Sequence, residues 1–88
     1  MTTYSQVYID GQWVASTGKG SISVYDSTNE QVMATIPEGT ADDVKKAAAA
    51  AKAAFGSWSA LTPADRAGYM NKIGDALAVR MDEIGSVI

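Results

Sequence analysis

Ile36-Pro37-Glu38-Gly39-Thr40-Ala41-Asp42-Asp43-Val44 decides the fold, because the hydrophobic period of the chain changes within it. Pro37 cannot donate to a strand ladder and ends an extended segment. Three residues later Thr40-Ala41-Asp42-Asp43 has the form of a capping box, with Thr40 as N-cap and Asp43 at the third helical position. Strands are therefore expected before this stretch and helices after it.

Upstream, residues 31–36 place Val32, Ala34 and Ile36 on one face of a strand. Residues 21–25 alternate in the same way, with Ile22 and Val24 on one face. The polar run Asp26-Ser27-Thr28-Asn29-Glu30 joins the two as a hairpin with a longer loop. Nearer the N-terminus, Val7-Tyr8-Ile9 and Gln12-Trp13-Val14 flank Asp10-Gly11. That dipeptide suits a two-residue turn whose central residues need positive φ, so a tight hairpin is expected. Residues 15–20 read as a flexible loop between the hairpins.

Downstream, Val44, Ala47, Ala48, Ala51 and Phe55 recur at helical spacing, and Gly56 stands where a helix commonly stops. Thr62-Pro63-Ala64-Asp65 repeats the start signal, with Pro at the first helical position. Tyr69, Met70, Ile73, Leu77, Met81, Ile84 and Ile88 then form an apolar stripe. A break near Arg80-Met81-Asp82 divides it, with Asp82 and Glu83 at the second start. The stripe is still running at Ile88, without a Gly or Asn cap or a basic last turn, which leads us to expect a chain interrupted within a larger fold. The fold class is α+β, a piece of an α/β enzyme. Residues 1–88 form a single partial domain, with β-hairpins over 7–36 and two or three helices over 40–88.

Composition restricts the chemistry. The 88 residues carry 7 Lys and Arg against 10 Asp and Glu, a net charge of −3, which does not suit a nucleic-acid surface. The chain has neither Cys nor His, which removes the thiolate nucleophile, the usual proton shuttle and the commonest transition-metal ligand. It contains no basic-plus-apolar leader and no apolar run of about 20 residues, so no membrane association and a cytoplasmic location are expected.

Candidate sites are few, and each has a plainer reading. Gly18-Lys19-Gly20-Ser21 resembles part of a phosphate loop, but that pattern requires Gly where Trp13 stands, and a helix behind it. Asp42/Asp43 and Asp82/Glu83 could pair as acid and base, yet both sit at helix starts, where carboxylates cap. Asp26 and Glu30 could offer oxygens to a hard cation but suit a solvated turn. Trp13, Trp58 and Tyr25 could stack a ligand, and are read as packing anchors. No catalytic, cofactor-binding or metal-binding residue is assigned.

The order and wording of these segments resemble the aldehyde dehydrogenase superfamily, N-terminal segment. Tyr8-Ile9-Asp10-Gly11-Gln12-Trp13-Val14 looks like that family's opening hairpin, and Gln31-Val32-Met33-Ala34-Thr35-Ile36-Pro37 like the next. Pro37-Glu38-Gly39-Thr40-Ala41-Asp42-Asp43-Val44, residues 47–55 and Trp58 are similar to the first helix and its exit. Thr62-Pro63-Ala64-Asp65-Arg66 and residues 73–88 resemble the second helix and the start of the third. The match is collinear over nearly the whole chain and departs at Asp26-Ser27 and Asn29-Glu30, where the family commonly has Asn-Pro and Thr-Gly.

The resemblance implies the N-terminal part of a coenzyme domain and an NAD(P)-dependent oxidation of an aldehyde to a carboxylic acid. In that chemistry a Cys thiolate attacks the carbonyl, hydride passes to the nicotinamide, and a Glu activates the hydrolytic water. An Asn side chain and a backbone N–H hold the oxyanion. The resemblance places all of these groups beyond Ile88, so none maps onto this chain. It also implies a monovalent-cation site with a backbone oxygen at about Tyr25, whose partners are missing, and no ligand is assigned there. The expectation is a structural segment, inactive alone, binding neither NAD nor NADP itself. Its partner is expected to be the remainder of the parent enzyme, or a second copy meeting it through exposed apolar faces. The alternative is a free-standing, self-associating interaction module.

Overall fold

The computed structural model describes Met1–Ile88. In order it contains β1 (Thr2–Thr3), β2 (Gln6–Ile9), β3 (Gln12–Ala15), β4 (Ser21–Tyr25), β5 (Val32–Pro37), α1 (Ala41–Ser59), α2 (Pro63–Val79) and α3 (Met81–Ser86). It divides into two compact units, Met1–Ala54 and Phe55–Ile88, with the boundary inside α1.

In the first unit, β2 and β3 pair antiparallel with Tyr8 opposite Trp13 and Ile9 opposite Gln12. Asp10 and Gly11 make the turn with φ of 54° and 74°, the type I′ geometry that matches strand twist. The second hairpin pairs β4 with β5, Ile22 opposite Ile36 and Val24 opposite Ala34. Its register slips between Val24 and Tyr25, so that Tyr25 faces Val32 and Met33 is the extra residue of a bulge. The loop is closed by hydrogen bonds from Asp26 N to Gln31 O at 2.8 Å and from Glu30 N to Asp26 O at 2.7 Å. Glu30 is left-handed, φ 60°. Residues 2–3 add a strand that the sequence did not announce: β1 lies parallel to β5, giving the order β1-β5-β4. Ala34, on the central strand, is the one hydrophobic residue classed as buried, at 8% exposure.

An alanine-rich face of α1 is turned toward the first hairpin. Ala47, Ala50, Ala51 and Ala54 line an open cleft with Tyr8, Ile9, Asp10 and Gly11. Val44 and Phe55, which belong to the same apolar stripe in the sequence, are 66% and 68% exposed. Alanine, with no side chain beyond Cβ, allows the hairpin turn to approach the helix closely.

In the second unit α1 does not stop at Gly56 but continues to Ser59. Ala60 N then bonds Gly56 O at 3.2 Å and Ser59 Oγ donates to the same carbonyl at 3.1 Å, so two donors close the helix without a glycine cap. The start of α2 is as expected: Thr62 Oγ1 accepts from Asp65 N at 3.1 Å and Pro63 leads the helix. Arg66 donates from Nη1 back to the carbonyl of Leu61. The division near residue 80 is also present. Arg80 has φ −113° and ψ 18°, outside the helical well, and separates α2 from α3. Its guanidinium forms a bidentate pair with Glu83 at 2.9 and 2.6 Å, both groups exposed.

Candidate functional site: the Asp43 cluster and the open helical faces

The polar centre of the first unit lies where α1 begins. Thr40 Oγ1 accepts from Asp43 N at 3.1 Å, and Asp43 Oδ2 accepts from Thr40 N at 3.2 Å, which completes the capping box. The same carboxylate reaches 26 and 27 residues back along the chain. Ser16 Oγ donates to Oδ2 at 2.5 Å, Thr17 N to Oδ1 at 2.8 Å and Thr17 Oγ1 to Oδ1 at 2.9 Å. Asp43 is only 6% exposed. It therefore collects two backbone and two hydroxyl donors, and each oxygen receives two of them.

These bonds set its protonation. The Ser16 hydroxyl above all, then the Thr17 backbone N–H, hold the Asp43 carboxyl far below the usual carboxylate range, against a smaller opposing effect of desolvation. A carboxylate so stabilised is a poor general base, because it has little tendency to take a proton. Asp43 is a latch that ties the loop after β3 to the first turn of α1. The capping role was legible in sequence. The partners Ser16 and Thr17 were not, since nothing local marks a contact 26 residues away.

The latch also revises the loop reading of residues 15–20. A Cβ at Gly18 would lie 2.6 Å from Thr40 Cγ2 and 3.2 Å from Glu38 O, and one at Gly20 would lie 2.5 Å from Glu38 Oε2. These glycines allow close approach of two chain segments, and the Asp43 hydrogen bonds tie the loop to the start of α1. The phosphate-loop resemblance of Gly18-Lys19-Gly20-Ser21 ends here too, because the segment leads into β4 and not into a helix. The α1 N-terminus, where a dinucleotide pyrophosphate could sit, is occupied by Thr40 and Asp43. The residues present do not form a dinucleotide cradle.

The other candidates separate in the same way. Asp26 Oδ1 accepts from Thr28 N at 2.8 Å, an Asx turn that shapes the loop, and no group of three acidic side chains converges anywhere. Asp82 and Glu83 open α3, with Glu83 committed to Arg80 and its carboxyl lowered by that hydrogen bond. Trp13 meets Tyr8 edge-on at 5.1 Å and Trp58 lies 5.7 Å from Tyr69, while Tyr25 is 63% exposed.

What the structure shows most clearly is uncovered apolar surface. In the second unit no residue is classed as buried, and Tyr69, Met70, Ile73 and Leu77 are 50–58% exposed. The total exposed area is 7243 Å². A compact monomer of this mass exposes about 4,900 Å², and even two separate compact bodies of these lengths would expose about 5,900 Å².

Two twisted hairpins, a latch onto a long helix and helices lacking their own core define an α+β fold. The aldehyde dehydrogenase family model matches residues 13–88, and the chain belongs to that family. Lactaldehyde dehydrogenase of Escherichia coli is 39% identical over 82 residues, covering 93% of this chain and 17% of that enzyme. Malonate-semialdehyde dehydrogenase 1 of Geobacillus kaustophilus is 34% identical over 87 residues, covering 99% and 18%. The crystal structure of an aldehyde dehydrogenase from Bartonella henselae superposes with a TM-score of 0.87 at 32% identity, over 91% of this chain and 17% of that one. The chain thus spans less than a fifth of the length of these relatives. No helix is long and apolar enough to cross a membrane.

Proposed function

We propose that this chain is the N-terminal structural segment of an NAD(P)-dependent aldehyde dehydrogenase that converts an aldehyde to a carboxylic acid. It supplies framework to the coenzyme domain and is inactive alone. The observation that carries this reading is the uncovered surface: Ala34 is the one hydrophobic residue classed as buried in a chain that is 47% hydrophobic. Such a chain has the composition of a folded interior and leaves that interior open. Family membership supports the chemistry of the whole enzyme, and the absence of His and Cys agrees with a segment that contributes no nucleophile.

The test is direct. The purified chain is incubated with NAD⁺ or NADP⁺ and a panel of short aldehydes, including lactaldehyde and a semialdehyde, and nicotinamide reduction is followed by absorbance. No reduction above the protein-free control is expected. Turnover that rises in proportion to chain concentration would overturn the proposal.

A further inference from the structure

The first hairpin turns on Asp10 and Gly11, and both are exposed. The Asp10 carboxylate takes part in no hydrogen bond or ion pair, and the Gly11 N–H donates to no acceptor. A Cβ at Gly11 would meet nothing within 4 Å, so no other segment shields that amide, and glycine has no side chain to shield it either. We propose that Asp10-Gly11 is a site of spontaneous self-modification, at which Asp10 closes on the Gly11 nitrogen and is converted to isoaspartate.

The reaction needs only the chain and water. In the carboxylic acid form of Asp10, the Gly11 nitrogen attacks Cγ, and the carboxyl hydroxyl leaves with the amide proton as water. The new N–Cγ bond closes a succinimide ring. Water then adds to one of the two ring carbonyls. Cleavage of the N–Cγ bond restores Asp10, whereas cleavage between the nitrogen and the main-chain carbonyl carbon of Asp10 leaves the chain linked through Cγ. Nothing is oxidised or reduced, and the mass of the product equals that of the starting chain.

The structure singles out Asp10 among the aspartates. Asp26 is also followed by a small residue, Ser27, but its Oδ1 is held by Thr28 N at 2.8 Å. The Asp43 carboxylate is occupied by Ser16, Thr17 and Thr40, and the nitrogen that follows Asp65, that of Arg66, donates to Thr62 O at 3.0 Å. The turn is also free to open. Ring closure requires Asp10 to leave its left-handed conformation, φ 54°, which an L residue adopts at a cost. The β2–β3 hairpin is a separate two-stranded sheet, and such a pair is marginally stable by itself. Its Tyr8 and Trp13 rings are largely exposed, so little burial opposes local opening.

The product does not fit the turn. Isoaspartate places Cβ of residue 10 in the main chain, and the length of the connection sets turn type and register. The closing pair Ile9 and Gln12 then loses its geometry. The same turn lines the cleft with Ala47, Ala50, Ala51 and Ala54, so the change reaches the contact of the hairpin with α1. None of this depends on the aldehyde dehydrogenase reading.

The full chain, kept in neutral buffer at physiological temperature and sampled over weeks, tests the proposal on samples whose circular dichroism is still that of the fresh protein. Trypsin releases Met1 to Lys19 as one peptide. Isoaspartate is detected with an isoaspartyl methyltransferase and a labelled methyl donor, and is located by fragmentation mass spectrometry. It is expected to accumulate at Asp10 several-fold faster than at Asp26, and to be lost from this peptide in Asp10→Glu, whose longer side chain closes a ring far more slowly. Asp10→Asn, which retains a residue suited to the turn, should reach the same linkage with loss of ammonia, read as an increase in mass. Equal rates at Asp10 and Asp26, or an Asp10→Asn chain that keeps its amide over the same period, would each overturn the proposal. Isoaspartate forming in the Asp10→Glu peptide at the wild-type rate would place the reaction elsewhere and also overturn it.

Discussion

Replacing Gly68 by Ala should stabilise the isolated chain. Gly68 lies within α2, and a Cβ there would meet nothing within 4 Å. The added methyl group neither fills a cavity nor meets a neighbour, so its effect is that of helix propensity. A glycine inside a helix costs about 0.8–1.0 kcal/mol relative to Ala, mostly in backbone entropy. No side chain of α2 is buried, so no packing term offsets or dilutes this gain. Around the midpoint, 1 kcal/mol moves the Tm of a domain of this size by about 4–8 °C. If the second unit melts by itself, its smaller unfolding entropy enlarges the shift to about 14 °C per kcal/mol. The companion change Gly11→Ala should have the opposite sign, because Gly11 holds φ 74° in the type I′ turn and a side chain there is strained. Its cost should exceed about 1 kcal/mol. Thermal melts of both variants, followed by circular dichroism, decide the matter. A Gly68→Ala protein that melts at or below the wild-type temperature would show that something covers this face of α2, and would refute the description of the second unit as uncovered.

The Asp43 latch predicts a pH dependence. Its folded pKa is depressed relative to the unfolded value of about 3.9, so its stabilising effect is complete above that value and is lost as pH falls toward the folded pKa. Denaturant midpoints of the wild type should fall below about pH 4, and Asp43→Asn should flatten that part of the profile. Ser16→Ala, which removes the donor with the largest effect, should raise the Asp43 pKa, read by carboxyl chemical shifts in an NMR titration. At α2, Thr62→Ala should cost about 1 kcal/mol in a melt while Thr62→Ser retains the cap and most of the stability, and equal losses would argue against capping. A double-mutant cycle on Trp58 and Tyr69, with Leu at each position, should return a coupling of about 0.5–1.5 kcal/mol if the ring contact at 5.7 Å persists in solution.

What was legible in the sequence was what depends on neighbours a few residues apart. The Asp10-Gly11 turn, the Thr40 and Thr62 caps and the break at Arg80 each follow from backbone chemistry within one turn of chain, and each is present. The readings that failed needed tertiary information. Gly56 reads as a stop, yet propagation of the helix across it costs only about 1 kcal/mol and three further residues follow. The pairing of Thr2–Thr3 with β5 involves two residues with no period to detect. Ser16 and Thr17 read as loop polarity, and their role appears only once the loop folds back to α1. On α1 the sequence marked an apolar stripe but not which part of it the hairpin would meet. Val44 and Phe55 are the large residues, but the hairpin settles on Ala47, Ala50, Ala51 and Ala54.

The contrast on α1 shows how the chain divides its interactions. Its own contacts are made by backbone ladders, caps, one carboxylate latch and small residues. The large apolar side chains Val44, Phe55, Tyr69, Met70, Ile73, Leu77 and Met81 remain at least half exposed. Leaving them so forgoes the main favourable contribution to folding, about 25 cal/mol for each Å² of apolar surface removed from water. Local caps and turns, at around 1 kcal/mol each, fix the geometry of the elements but do not substitute for a core. The local signals thus specify a shape, and the large side chains are directed at whatever covers it. In the whole enzyme that cover is proposed to be the downstream chain.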